Sequence, residues 1–196
     1  MLTIVWDVDD VLNDLMFQWL TQSWLLQHPN CRVRYAELKE NPPDKVLGIT
    51  REAYLDSLDA FRKTERAMNM QANGEVLAWL RVHGARFRHV ALTARPLETA
   101  PDVAHWVMNN FGAWIRCFGV VPTRADMNVP TYDRSKGQYL SWLGCGDILV
   151  DDSIENIFQA KELGMKTLLY PQPWNESSLT TASLLNELSY LAENLD

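Results

Sequence analysis

The chain opens on an apolar run, Leu2, Ile4, Val5 and Trp6, that stops at Asp7-Val8-Asp9-Asp10. Branched and aromatic residues running straight into acids read as a buried strand whose last residues leave the sheet carrying carboxylates. Alternate residues of an extended chain share a face, with Cα atoms about 6.5 Å apart, so Asp7 and Asp9 point one way and Val8 the other. The apolar spacing then changes. Leu15, Met16, Trp19, Leu20, Leu25 and Leu26 recur every three or four positions and predict an amphipathic helix over 14–28, stopped by His28-Pro29-Asn30. Asn41-Pro42-Pro43-Asp44 breaks the chain again, and Tyr54, Leu55, Leu58 and Phe61 predict a helix over 50–66. With no strand pattern between them, 14–71 reads as a small helical insert after the first strand.

From Asn73 onward strands and helices alternate. A helix through Val76, Trp79 and Leu80 stops near His83-Gly84, and 87–93 is the second strand. A helix through Val103, Trp106 and Val107 ends at Phe111-Gly112 and leads to a strand over 115–121. A helix over 133–142, a strand over 147–150, a helix over 154–163 closed by Gly164, a strand over 166–170 and a helix over 180–191 complete the order. This alternation predicts an α/β, doubly wound, mainly parallel sheet built from 1–13 and 72–196, with 14–71 as the helical subdomain. Ligands bind such sheets beyond the carboxyl ends of the strands, near a switch in strand order.

Composition narrows the function. Of 196 residues, 47% are hydrophobic, ample for a core, and the formal charge of −7 argues against a nucleic-acid polymer as partner. The stretch 14–71 carries eight basic and eight acidic residues, so the whole acidic excess belongs to the α/β part. Cys31, Cys117 and Cys145 form no C-x-x-C pair and suggest no disulfide framework, which fits a reducing, cytoplasmic location. No leader pattern or membrane-length apolar run is present. His28, His83, His89 and His105 lack metal-ligand spacing and are expected at surfaces or helix ends. Cys145 is expected to pack, and Phe17 and Trp24 to be core residues or to face a substrate from the insert.

Polar residues cluster where strands end. Asp7 and Asp9 close the first strand, Thr93-Ala94-Arg95 the second, Lys136 follows the third, and Asp151-Asp152 close the fourth. In a parallel sheet all of these meet at one edge. A carboxylate there can attack phosphorus and a second acid can protonate the leaving oxygen. A lysine, a hydroxyl and a divalent cation supply the charge stabilisation that phosphoryl transfer demands, and Mg2+ suits hard carboxylate ligands. Taken alone, 7–14 also reads as a solvated acidic turn capping a helix, since Asn13 and Asp14 are good N-cap residues. A calcium loop fails because Val11 and Leu12 stand where an acid and a glycine are needed.

The order Asp-x-Asp-x-Val at 7–11, Leu-Thr-Ala-Arg-Pro at 92–96, a lone Lys136 and Leu-Val-Asp-Asp-Ser at 149–153 resembles the haloacid dehalogenase (HAD) superfamily. The resemblance implies a HAD-like Rossmann-type fold with a cap, and a Mg2+-dependent phosphatase acting on a small phosphorylated substrate through an aspartyl phosphate. It makes Asp7 the nucleophile and Asp9 the general acid/base, with the Asp9 carbonyl also on the metal. Thr93, Lys136 and the Ala94 amide would hold phosphoryl oxygens; Asp152 would be the direct metal ligand and Asp151 its support. Dehalogenases lack the second acid, so Asp9 favours phosphate chemistry. Leu-Thr-Ala-Arg-Pro, Val-Asp-Asp and Tyr170-Pro-Gln-Pro-Trp-Asn175 look most like the 5'-nucleotidase and deoxyribonucleotidase branch, which implies a nucleoside monophosphate and adds Phe17 as a substrate contact. In the place of a frequent family glycine stands Asp10, expected to point away from the metal and hold the turn. A phosphomutase or sugar-phosphate phosphatase is the enzymatic alternative, and a catalytically silent binding protein the non-enzymatic one. A phospho-signalling receiver is excluded by motif order, since its acid pair comes first.

Overall fold

The computed structural model describes residues 1–124 and 129–193. Five strands form one all-parallel sheet in the order β3-β2-β1-β4-β5: β1 (Thr3–Trp6), β2 (Arg88–Arg95), β3 (Ile115–Pro122), β4 (Ile148–Asp151) and β5 (Lys166–Leu169). β1 is central, with Val5 opposite Val90 on one side and Leu149 on the other. The chain steps outward from β1 to β2 and β3, then crosses back to β4, so strand order reverses beside β1 and β4, where such sheets open a crevice.

Period-two patterning decides the layers. Ile4 and Trp6 enter one core with Val76, Trp79 and Leu80 of α6 (Gly74–His83), Trp106 and Phe111 of α7 (Ala100–Phe111), and Leu184 and Leu188 of α10 (Thr181–Glu193). Val5, Val90 and Leu149 enter the opposite core with Leu140 of α8 (Lys136–Leu143) and Ile157 of α9 (Ile154–Glu162). Helices therefore cover both faces. Side-chain caps fix where they begin: Asn73 accepts from the Glu75 and Val76 amides, Ser135 from Gln138 and Ser153 from Asn156.

The insert leaves the sheet after Leu12 and returns at Asn73, whose amide donates to the Leu12 carbonyl at 2.8 Å and whose side chain donates to Val11 at 3.0 Å. It holds α1 (Leu15–Trp19), a π-helical turn (Leu20–Trp24), α2 (Leu25–Gln27), α3 (Asp44–Leu47), α4 (Arg51–Arg62) and α5 (Glu65–Met68). Its apolar residues, among them Trp19, Trp24, Tyr54 and Phe61, make a core separate from the other two. Trp24 is thus a core residue.

Several expectations are corrected here. The helix expected over 50–66 is two, because Thr64 turns extended and caps α5 by accepting from Ala67. The Asp14 side chain makes no cap bond; Asn13 Oδ1 instead accepts from the Leu15 amide at 3.0 Å. The helix expected from 133 starts at Lys136, after the Ser135 cap. His89 is buried rather than at a surface or helix end, accepting from the Trp6 indole at 3.0 Å and paired with the Gly84 carbonyl at 2.9 Å. Cys145 is exposed rather than packed. No described helix is long and apolar enough to cross a membrane.

Candidate active site

Beyond β1 the ladder continues for one residue, the Asp7 amide donating to Val150 at 2.9 Å, and then the chain turns. The Val8 carbonyl accepts from the Leu12 and Asn13 amides, and Asp10 adopts the left-handed conformation at φ 64°. That conformation is costly for a residue with a Cβ, and short polar side chains that bond locally tolerate it best. Asp10 does so: its Oδ1 accepts from the Met16 amide at 2.8 Å, and its own amide donates to Asn13 Oδ1 at 3.1 Å. Asp10 therefore ties the turn to the start of the insert. Burial pushes its carboxyl well above the ordinary range despite the Met16 bond.

The turn aims Asp7 at Lys136, the first residue of α8. Lys136 Nζ lies 2.7 Å from Asp7 Oδ1 and 2.7 Å from Asp151 Oδ2. Asp151, the last residue of β4, spends its other oxygen on the Ser153 amide at 2.9 Å and Asn156 Nδ2 at 3.0 Å. Asp152 accepts from the Trp174 indole at 2.7 Å through Oδ2. Asp7, Asp151 and Asp152 each bring an oxygen within 4.8 Å of the others, all three buried. Burial raises the Asp7 carboxyl well above the ordinary range, an effect Lys136 opposes and Asp151 and Asp152 reinforce. Burial and the neighbouring Asp151 and Asp10 push Asp152 up to about 8. Burial would lower the Lys136 ammonium, but Asp151 and Asp7 outweigh it and hold it above its usual value. Three buried carboxyl groups share one ammonium, so ionising all of them would leave negative charge uncompensated, which together with burial pushes Asp7 and Asp152 up. The hard oxygen donors of Asp7, Asp151 and Asp152 fit a divalent cation such as Mg2+.

Thr93 on β2 is fully buried, and its hydroxyl has no hydrogen-bond partner. It lines, with Asp7, Ala94, Lys136 and Asp152, a cavity of about 230 Å³ at the carboxyl ends of the strands. The insert closes the cavity with Tyr54, Leu58 and Arg62, among others. The structure thus brings together Asp7, Thr93, Ala94, Lys136, Asp151 and Asp152, which lie far apart in the chain.

Asp9 lines the same cavity but its carboxylate turns away from the acidic cluster. Oδ2 pairs with Arg62 of α4 at 3.2 Å and Oδ1 with Arg95. Burial alone would raise its carboxyl, yet Arg95 and Arg62 outweigh burial and hold it below the ordinary range. Arg62 also holds Asp59 at 2.9 Å, so the insert grips the first strand's loop through a buried ion-pair chain. Arg95, which by its sequence position could contact substrate or be an exposed or salt-bridged structural residue, is buried and salt-bridged to Asp9. Phe17 is not among the cavity-lining residues; it stands edge-on to Tyr35, ring centres 5.3 Å apart. Sequence reasoning missed Arg62, which carries no local signal. Tyr35, whose hydroxyl donates to Gln172 at 2.7 Å, carries no local signal either, while Gln172 and Trp174 lie in the 170–175 stretch that the sequence singles out without giving either a role at the site. The dense 170–175 stretch after the last strand was the available signal, since the carboxyl end of a parallel strand is where such residues gather.

An all-parallel five-stranded sheet with the acid-bearing turn after its central strand and a helical insert following it is the HAD-like Rossmann-type fold. Among solved structures, the chain is similar to a haloacid dehalogenase-like hydrolase from Streptococcus pneumoniae, with 14% identity, TM-score 0.60 and 98% of each chain covered. It is also similar to a Thermotoga maritima protein assigned as a beta-phosphoglucomutase, with 14% identity, TM-score 0.56, and 97% of this chain and 100% of that one covered. A third is a Bacillus subtilis protein assigned as a HAD hydrolase and solved bound to magnesium, with 12% identity, TM-score 0.59, and 97% and 98% covered. No protein-family model and no curated protein matches the sequence.

Proposed function

We propose that the protein is a Mg2+-dependent phosphatase that hydrolyses a small phosphomonoester through an aspartyl phosphate on Asp7. The observation that carries this reading is the Lys136 bridge between Asp7 and Asp151, set beside the unpartnered Thr93 hydroxyl at the base of a cleft that Asp7, Thr93 and Lys136 all line. A buried hydroxyl without a partner costs about 1–3 kcal/mol, and a phosphoryl oxygen would repay it.

The chemistry follows from the residues. An Asp7 oxygen attacks phosphorus as the bond to the leaving oxygen breaks, and Asp9 supplies that oxygen's proton. Water then attacks the aspartyl phosphate, Asp9 takes its proton, and phosphate and the Asp7 carboxylate are restored. Lys136, Thr93 and the Ala94 amide hold the phosphoryl oxygens, where fixed positive charge and donors matter most. Asp7, the Asp9 carbonyl and Asp152 would hold Mg2+, which when bound neutralises charge on the transferring group. Held ionised by two arginines, Asp9 is set for accepting the proton from water. Donating one asks that Asp9 first take up a proton and give up its pairings with Arg95 and Arg62.

The compact-substrate reading rests on the insert, whose Tyr54, Leu58 and Arg62 line the cleft beside the acids. A nucleoside monophosphate is the narrower reading suggested by the 5'-nucleotidase-like motifs; the names of the solved neighbours lend it no support. The Thermotoga neighbour favours a second reading, a phosphomutase, in which the aspartyl phosphate returns its group to the sugar. One panel decides. Nucleoside monophosphates, sugar phosphates and an aryl phosphate are offered with Mg2+, and free phosphate is measured against isomerised sugar phosphate. Phosphate release supports the phosphatase and an isomerised product the mutase, while binding of Mg2+ without turnover of any compound contradicts both.

A further inference from the structure

We infer that Trp174 is a positioning residue for the divalent cation, holding Asp152 in the orientation that presents its second oxygen to the acidic cluster. This rests on the reading that Asp7 and Asp152 hold that cation. Three observations carry it. The Trp174 indole N–H donates to Asp152 Oδ2 at 2.7 Å, while Asp152 is buried and belongs to the carboxylate cluster. The Trp174 ring packs against the apolar core of the insert and meets the Tyr35 ring edge-on, centres 6.0 Å apart. The backbone around both partners is pinned: Asn175 Nδ2 donates to the Asp152 carbonyl and to the Tyr170 carbonyl, each at 2.8 Å.

An indole N–H only donates, so it occupies one carboxylate oxygen and leaves the other free. The ring itself is clamped between the β5 loop and the insert, so the donor cannot follow a wandering carboxylate. Asp152 therefore meets the cation with its side-chain freedom already removed, and the affinity includes no cost for ordering it. Groups that orient a metal ligand in this way typically change metal affinity by about 10–100-fold when lost. Because the clamp includes the insert, the same contact ties cation affinity to the seating of the insert over the sheet.

Trp174→Phe keeps an aromatic ring and removes the donor. Isothermal titration of Mg2+ into the metal-stripped chain should show affinity reduced by about 10-fold or more, in a variant that circular dichroism shows still folded and that melts only a few degrees lower for the lost bond. Wild-type affinity in Trp174→Phe would overturn the inference while leaving the phosphatase reading intact. Should that variant fail to fold, the assigned Trp174 indole N–H resonance of the wild type gives the same answer. It should shift on saturation with Mg2+, and an unmoved signal would overturn the inference. A wild-type chain that takes up no Mg2+ overturns both the inference and the reading beneath it.

Discussion

Lys136→Met removes the only cation among the described residues that pairs with both Asp7 and Asp151. In the wild type its ammonium lies 2.7 Å from each, and all three side chains are buried. Removing one partner of a buried ion pair costs about 3–5 kcal/mol, because the charge left behind has neither water nor counter-ion. For a chain of this length each kcal/mol moves the Tm by about 2–4 °C, so the variant should melt roughly 6–20 °C below the wild type in chelator. The loss should shrink as pH falls, since Asp7 is already pushed towards its neutral form and a protonated carboxyl needs no counter-ion. It should also shrink at a fixed Mg2+ concentration, because the cation compensates carboxylates that Lys136 already compensates in the wild type, so the variant binds it more tightly and gains more from it. Thermal unfolding followed by circular dichroism at pH 6 and pH 8, with chelator and with Mg2+, reads all three effects. A variant as stable as the wild type at pH 8 in chelator would refute the view that Lys136 compensates a buried carboxylate cluster.

Thr93→Val should separate function from stability. It removes a buried hydroxyl without a partner, so the Tm should rise by a few degrees while phosphate release falls by about 10–100-fold; a lower Tm with unchanged turnover would contradict the assigned role. His89 is held neutral, burial lowering its pKa despite the Gly84 bond. Its contribution to stability is therefore complete above the unfolded value and fades as pH drops below about 6.5, with a slope of up to about 1.4 kcal/mol per pH unit. His89→Gln should flatten that slope in a Tm-against-pH series, and an unchanged slope would exclude His89 as its origin. Asp10→Gly relieves a left-handed φ worth about 1–2 kcal/mol but loses a buried carboxylate bond to the Met16 amide worth about 1.5–3 kcal/mol. A net loss of about 1 kcal/mol is expected in urea unfolding, and a gain would show that the turn holds without the bond.

The sheet was legible because its signals are local. Apolar runs ending in acids, hydroxyls or glycine mark strand ends whatever the rest of the chain does, and alternation then dictates a parallel sheet. Asp7, Thr93, Asp151 and Asp152 sit within two residues of strand ends, so the parallel topology assembles them, while Lys136 enters from the first turn of α8, well past the end of β3. Arg62 was not legible, because nothing near it on α4 says that it reaches back to Asp9 across the base of the insert. Nor was the surrounding of His89, an apparently polar break in a strand that proves to be a buried acceptor for Trp6. Phe17 illustrates the opposite error: an aromatic close to the first acidic turn in sequence packs against Tyr35 rather than into the cavity. Long-range pairing decides each of these cases, and local pattern holds no record of it.

The most direct test is phosphate release from an aryl phosphate by wild type and Asp7→Asn, each with Mg2+ and with chelator. Turnover confined to the wild type with Mg2+, and accompanied by a phosphorylated Asp7 peptide after acid quench, is the expected result. Wild-type rates in Asp7→Asn would contradict the assignment of Asp7 as nucleophile, and with it the phosphatase mechanism built on that residue.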